Sequence, residues 1–295
     1  MRIQEALDRY LLQLRADGRS SHTIGQARRH VRLLARWLDE VGHGGIVDQV
    51  GHEDVARFLA SSAVLYRADG KPRKATSANA LRSSLRAFFA FVRAAGYAPA
   101  NAARLVRRAI VGEKVPRALS EAEEARLRAA LEEARTPYER RDRALILLML
   151  GTGIRIGSAL GLSVEDVDLE ARELRLRTVK RGGQRTAFLA ESLVPVLREL
   201  AGDRRAGALF VGLRRGPMSY RQAQRRVAAW MQRAGIGRAG SAHTLRHSFA
   251  MRVYRRTCDL LVVKQALGHA SIASTVVYAV CPEQRLRAVV DAIGR

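Results

Sequence analysis

Most of the first hundred residues place apolar side chains at helical spacing. One such segment reads SSHTIGQARRHVRLLARWLDEVG and begins with Ser and Thr residues that favour a helix start. Its apolar positions share one face: Ile24, Val31, Leu34 and Leu38. A second segment reads TSANALRSSLRAFFAFVRAAG, with Thr76 as its predicted cap and Gly96 as its stop. The pattern predicts a small helical bundle, which either carries solvated arginines or grips a phosphate backbone.

The pattern changes between residues 104 and 120. This stretch reads RLVRRAIVGEKVPRALS, is strongly basic, contains Gly112 and Pro116, and leads into the helix opening SEAE. We therefore predict a helical domain over 1–103, a basic linker over 104–118, and a second domain over 119–295. The last domain is expected to end in a helix over 282–295.

One segment of the second half alternates with the period of a β-strand. It reads ELRLRTVKRGGQRTAFL and has a turn signal at Gly182 and Gly183. Its alternating positions are Leu174, Leu176 and Thr178 before the turn, and Thr186 and Phe188 after it. The whole pattern predicts a mainly α fold with a small antiparallel β-sheet.

The net charge of the chain restricts the class of molecule that is expected to bind it. The 295 residues are 47% hydrophobic, typical of a globular chain, and 52 Lys and Arg against 28 Asp and Glu give +24. A polyanion such as nucleic acid is the expected partner, and a membrane surface is less favoured because the charge is spread along the chain. The two cysteines, Cys258 and Cys281, form no CxxC pair, which favours a reducing cytoplasm.

Two basic residues stand out in the first part of the second domain. Arg155 opens an apolar helix in LMLGTGIRIGSALGL, where a buried guanidinium needs an anion or a carboxylate such as Glu165. Lys180 precedes the predicted Gly-Gly turn in a chain with only five lysines. An ammonium can give up a proton more readily than a guanidinium, although chance placement explains Lys180 equally well.

The segment from Ser241 to Val280 collects further polar groups. In HTLRHSF, His243 and Arg246 share a helical face, and His243 with His247 has the spacing of two metal ligands, but no third ligand follows. We therefore expect no metal. In LGHASIASTVVY, His269 lies between two predicted helices and Tyr278 in the second, where a tyrosine is more often a core residue than a nucleophile.

The ordered set of Arg, hairpin Lys, HxxR, LGH and Tyr resembles the tyrosine recombinase, or phage integrase, family. Three stretches look like its signature boxes: TGIRIGSALGL, HTLRHSFA and LGHASIASTVVY. The first hundred residues resemble the helical, SAM-like core-binding domain of that family, and the rest its mixed α+β catalytic domain. The length and the short tail are most similar to the compact Xer-type members.

The resemblance implies transesterification on DNA without a metal, ATP or any other cofactor. Tyr278 would attack a phosphodiester and form a 3′-phosphotyrosyl link. Arg155 and Arg246 would hold the non-bridging oxygens, with His269 as a further donor. Lys180 is expected to protonate the leaving 5′ oxygen and His243 to handle the proton of the tyrosine. His247 matches no catalytic position and is interpreted as a packing residue.

Two departures and several alternatives remain. Ser158 occupies a position that is commonly acidic in the family, and YAV replaces the common YTH. The expected partners are double-stranded DNA with an inverted-repeat site, three further copies in a tetramer joined through the C-terminal helix, and an accessory protein or heterologous recombinase. The alternatives are a type IB topoisomerase and a DNA-binding regulator that does not cut. Xer-type resolution and integration or excision of a mobile element both stay open.

Overall fold

The computed structural model describes residues 1–67, 69–112, 117–177, 184–213, 216–237, 240–268 and 271–278, together with 287, 290 and 291. The chain divides into two units, Met1–Glu113 and Lys114–Arg295. Both are mainly helical, and the second contains a small antiparallel sheet, so the predicted fold class is confirmed. None of the described helices is both long and apolar enough to cross a membrane.

The first unit is a helical bundle. Its helices are α1 (Ile3–Ala16), α2 (Ser21–Glu40), α3 (His52–Ala60), α4 (Ser62–Leu65) and α5 (Ala75–Ala94). Helix α2 begins after Ser20, whose hydroxyl accepts from the N–H of Thr23 and satisfies an otherwise unpaired donor. Helices α1, α2 and α5 pack together through their apolar faces. The predicted cap at Thr76 is wrong, because α5 begins at Ala75 after Lys74.

The second unit begins with three helices and a hairpin. The helices are α6 (Glu121–Glu132), α7 (Pro137–Thr152) and α8 (Ile156–Leu160), followed by the strands β1 (Val167–Asp168), β2 (Glu173–Arg177) and β3 (Gln184–Phe188). The strands pair antiparallel in the order β1-β2-β3, with Leu174 opposite Ala187. The predicted hairpin is therefore present, while its turn over 178–183 lies outside the described residues.

In the part of the second unit that the structure describes, five further α-helices follow the sheet. They are α9 (Val194–Ala201), α10 (Tyr220–Arg233), α11 (Ala242–Thr257), α12 (Leu260–Leu267) and α13 (Ala273–Val276). Helix α7 is buried over nearly its whole length and packs against α11, which in turn packs against α12. This arrangement brings the end of α7, the start of α11 and the end of α12 close together.

The predicted linker, 104–118, is tied to the first unit at one end. The buried Asn79 side chain donates to the carbonyl of Ala109 (2.9 Å) and accepts from its N–H (2.8 Å). Beyond the stretch, the N–H of Leu119 donates to Ser248 Oγ within the second unit (2.7 Å). Residues 113–116 lie outside the described part of the chain, and so does most of the predicted helix over 282–295.

Candidate active site

The site is built around the left-handed turn that ends α7. Gly153 has φ 63°, and a Cβ there would lie 2.3 Å from Phe249 Cδ1 and 2.9 Å from Leu267 Cδ2. Both the dihedral angle and the space therefore require glycine. Two residues later Arg155 precedes the first turn of α8, and its side chain is exposed. Within the described structure Arg155 forms no ion pair with Glu165.

Arg246 lies on α11 and is only 5% exposed. Its guanidinium donates to the carbonyl of Gly153 at the end of α7 and, at 3.0 Å, to the carbonyl of Leu267 at the end of α12. A planar fork can make both bonds at once, whereas an ammonium is a point charge. Arg246 thus joins α11 to the ends of α7 and α12, and no described carboxylate forms an ion pair with it.

Three guanidinium groups interact electrostatically in this region. Burial lowers the pKa of Arg246 to about 10, and repulsion from Arg155 and Arg185 adds to the effect. Burial and then Arg155 lower the pKa of Arg185 as well. A pKa of about 10 keeps Arg246 charged at neutral pH, and no carboxylate in the described part of the chain forms an ion pair with it. An anion bound among these groups would remove this repulsion, which makes the region a candidate phosphate site.

Arg185 was not predicted from the sequence. It lies on β3, and its guanidinium donates to the carbonyls of Gln265 (3.1 Å) and Ala266 at the end of α12. A strand arginine in a chain rich in arginine carries no local signal. Its importance depends on the packing of the hairpin against α12.

Tyr278 follows α13 and is 2% exposed, in an apolar cluster with Ala250, Val263 and Leu267. Burial raises the pKa of its phenol, while Arg246 and Arg155 oppose that shift. The two arginines therefore lie close enough to the hydroxyl to stabilise a phenolate. The structure brings Tyr278, Arg246 and Arg155 together in one site.

The hydroxyl of Tyr278 is hydrogen-bonded to His247 Nδ1 at 2.6 Å. His247 is half-buried, and burial lowers its pKa to about 4, with contributions from His243 and Arg246. Its imidazole is therefore neutral at pH 7. The interpretation of His247 as a packing residue missed this bond, because 31 positions separate the two residues.

The structure describes only some of the remaining predicted site residues. His243 lies exposed in the first turn of α11, one helical turn before Arg246. Ser158 is half-buried in α8. Lys180 and His269 lie outside the described residues. Across the described ranges, no cluster of three or more His, Cys, Asp or Glu side chains has the arrangement of a metal site.

A helical first unit, followed by a mainly helical second unit with a small antiparallel sheet, is the fold that the sequence resemblance predicted. The model of the phage integrase family matches residues 117–285, and that of the phage integrase N-terminal SAM-like domain matches residues 7–96. The chain belongs to the phage integrase family, whose enzymes are the tyrosine recombinases. The family resemblance stated from the motifs is confirmed.

Individual relatives support the same assignment. Tyrosine recombinase XerD of Ralstonia nicotianae is 34% identical over 279 residues, covering 92% of this chain and 87% of that protein. Tyrosine recombinase XerD of Mycobacterium tuberculosis is 32% identical, covering 92% and 91%. The fold is also that of the XerH site-specific recombinase, solved in a pre-cleavage complex with difH substrate. For that structure the TM-score is 0.72 and the identity 21%, covering 96% of this chain and 83% of the other.

Proposed function

We propose that this protein is a site-specific DNA recombinase that cuts and rejoins strands through a 3′-phosphotyrosyl intermediate, with Tyr278 as the nucleophile. The observation that carries the proposal is the position of Tyr278. Its hydroxyl is buried beside Arg246, within electrostatic reach of Arg155, in a site where the described structure pairs neither arginine with a carboxylate. A DNA phosphate placed there would meet a nucleophile and two cations together.

The other roles follow from the family resemblance and the local geometry. Arg155 and Arg246 hold the non-bridging phosphate oxygens and offset the charge that grows as the phosphorane forms. Lys180 protonates the leaving 5′ oxygen, and His269 donates a hydrogen bond to the phosphate. His243 is a further member of this proposed set of catalytic residues. The phenolate is a better leaving group than an alkoxide, so the 5′-hydroxyl of a strand can displace it and restore the phosphodiester.

The DNA partner agrees with the charge of +24 and with the solved relatives, among which the XerH site-specific recombinase is bound to difH substrate. In this proposal the SAM-like domain over 1–103 and the catalytic domain over 119–295 both contact the duplex, and the basic segment over 104–118 runs along it. The reaction needs no metal, ATP or other cofactor and takes place where DNA is found, in the cytoplasm.

Covalent capture tests the proposal. Wild type and Tyr278→Phe are incubated with fragmented genomic DNA, denatured in SDS, and the protein-linked ends are sequenced. Adducts with the wild type alone, at one inverted-repeat site, are expected. Scattered adducts without sequence preference would indicate a type IB topoisomerase, and adducts that persist in Tyr278→Phe would refute the nucleophile. The absence of adducts from DNA-binding wild type would indicate either a missing partner or a regulator that does not cut.

Assembly is the second part of the proposal. We propose that the segment over 282–295 docks on a neighbouring copy and couples active sites in a tetramer on DNA, with an accessory protein or a partner recombinase as a further component. A chain that ends at Val280 should sediment on a two-site duplex as a smaller complex than the full chain. Unchanged assembly would refute this role for the segment.

A further inference from the structure

We infer that His247 is a catalytic residue, the group that takes the proton from Tyr278 when the tyrosine attacks. The inference rests on the proposed function, because it requires Tyr278 to be the nucleophile. It goes beyond the family resemblance, which gives the proton to His243 and gives His247 no catalytic role.

The contact itself is the first reason. His247 Nδ1 lies 2.6 Å from the Tyr278 hydroxyl, within the range that proton transfer to a general base requires. The rings are tilted by 52° with centroids 5.6 Å apart, so the two residues meet through the hydrogen bond and not by stacking. In the described structure no hydrogen bond joins His243 to Tyr278, and His243 is exposed in the first turn of α11.

The protonation state of the imidazole is the second reason. His247 is neutral at pH 7, because burial, His243 and Arg246 together lower its pKa. With the proton on Nε2, Nδ1 has a free lone pair and accepts from the phenol. A protonated imidazole would instead donate to the hydroxyl and could not accept its proton.

The charges around the pair change when DNA binds. Among the described residues, the groups that act on it are His243 and Arg246 from α11, Arg155 from the segment before α8, and Arg185 on β3, which repels Arg246. A phosphodiester held by Arg155 and Arg246 brings one negative charge next to these groups. It offsets the repulsion that Arg246 exerts on an imidazolium and so makes His247 a stronger base when the substrate is present.

The step balances without a further reactant. The O–H bond of Tyr278 breaks and its proton forms a bond to His247 Nδ1, while the phenolate oxygen bonds to phosphorus and the bond from phosphorus to the 5′ oxygen breaks. Lys180 supplies the proton of the new 5′-hydroxyl. During rejoining the 5′-hydroxyl attacks phosphorus and returns its proton to Lys180, while the phenolate leaves and takes its proton back from the imidazolium, so both residues end as they began.

The test measures the rate of adduct formation on a nicked duplex that carries the site recovered by covalent capture. A sulfur replaces the scissile 5′ bridging oxygen, so that the leaving group needs no proton and only activation of Tyr278 is observed. The variants are His247→Ala, His247→Asn and His243→Asn. Asparagine places an amide oxygen near the position of Nδ1, so it can accept a hydrogen bond from the tyrosine but cannot take its proton.

Both His247 variants are expected to form adduct about 100-fold more slowly than wild type at pH 7. Their rates should rise steeply as the pH approaches the pKa of the phenol, and added imidazole should accelerate His247→Ala but not wild type. A rate for His247→Asn within about threefold of wild type would show that His247 only positions the tyrosine, and would overturn the inference. If imidazole accelerates His243→Asn and does not accelerate His247→Ala, the proton transfer belongs to His243, and this result would also overturn the inference.

The two proposals fail in different ways. Adduct formation by Tyr278→Phe would end the proposed function, whereas loss of adduct in Tyr278→Phe with full activity in His247→Asn would end only the present inference. If the His247 variants do not fold, ¹⁵N NMR of the histidine rings in the unmodified chain tests whether His247 Nδ1 can accept the proton. Nδ1 of His247 should be unprotonated at pH 7, and a protonated Nδ1 would contradict the assignment.

Discussion

The position of Arg246 depends on Gly153, a residue without a side chain. The Gly153 carbonyl accepts one of its hydrogen bonds, and the left-handed turn at Gly153 also lets Phe249 and Leu267 approach the backbone. Burying a guanidinium costs free energy unless its N–H groups are bonded. The buried arginine therefore depends on the conformation of a single glycine.

Gly153→Ala should destabilise the protein by about 2–4 kcal/mol, because alanine is strained at φ 63° and its Cβ would overlap Phe249. The matched control is Gly157→Ala in α8, where no atom lies within 4 Å of the position that a Cβ would take and φ is not positive. Alanine there should leave stability unchanged or raise it by about 0.5–1 kcal/mol. Thermal unfolding of both variants checks the prediction, and equal melting temperatures would contradict it.

A second histidine, His30, is half-buried in the first unit, with Nδ1 2.8 Å from Ser84 Oγ. Burial lowers its pKa to about 4, with contributions from Arg29 and Arg73. Its ordinary pKa is 6.5, so between pH 6.5 and 4 the unfolded chain binds a proton that the folded chain does not. The stability that neutral His30 contributes is complete above pH 6.5 and is lost as the pH falls toward 4.

His30→Asn should therefore lose less stability than wild type on going from pH 7 to pH 5. Urea unfolding of the full chain at the two pH values measures this difference. His22→Asn, which changes an exposed histidine on the same helix, is the control and should behave like wild type. An equal pH dependence in His30→Asn and wild type would show that His30 does not titrate in this window.

At the scale of elements, the end of α12 is held by two arginines. The carbonyls of Gln265, Ala266 and Leu267 accept from Arg185 on β3 and Arg246 on α11. The last carbonyls of a helix have no partner within it and carry its negative dipole end, so cations stabilise them. The bonds from Arg185 therefore hold the hairpin against the C-terminal end of α12, which precedes His269 in the sequence.

Arg185→Ala should release this end of α12. Hydrogen bonds from a charged group contribute about 1.5–3 kcal/mol, so amide exchange in the last turn of α12 should become roughly tenfold faster or more. The matched control is Arg175→Ala on the neighbouring strand, where the side chain is exposed and lies 3.7 Å from Asp168. Exchange measured by mass spectrometry on α12 peptides checks this, and equal protection in both variants would contradict it.

At the scale of the whole molecule, charge dominates the expected behaviour. A net charge of +24 repels itself in the free protein, and bound DNA relieves that repulsion while releasing counterions. Not every arginine is available for DNA, because several are paired on the surface, such as Arg143 with Glu132 at 2.8 Å. Arg155 and Arg246, which pair with no described carboxylate, are better placed to contact phosphate.

Affinity for duplex DNA should fall by about 10³–10⁵ between 50 and 200 mM salt, as expected for roughly 6–10 phosphate contacts. Arg155→Gln should reduce the slope of log affinity against log salt by about one, while Arg143→Gln should leave it unchanged. Fluorescence anisotropy with a labelled duplex measures both. A slope near zero in wild type would rule out binding through the phosphate backbone.

Local patterns in the sequence determined the elements and the family. Ser120 and Glu123 form the reciprocal cap that SEAE predicts at the start of α6, with bonds of 3.1 and 3.0 Å. The alternation in ELRLR predicted β2, since Leu174 and Leu176 are buried on one face. These features depend on residues a few positions apart, so they are legible without a structure, as are the family motifs.

The contacts of the site were decided only by tertiary structure. The bonds from Arg246 to Gly153, from Arg185 to Ala266 and from His247 to Tyr278 span 93, 81 and 31 positions. No sequence period links such distant residues, because their proximity results from how α7, α11, α12 and the hairpin pack. The sequence by itself predicted Tyr278, Arg155 and Arg246 as site residues, whereas the hydrogen bond between the tyrosine hydroxyl and His247 depended on the fold.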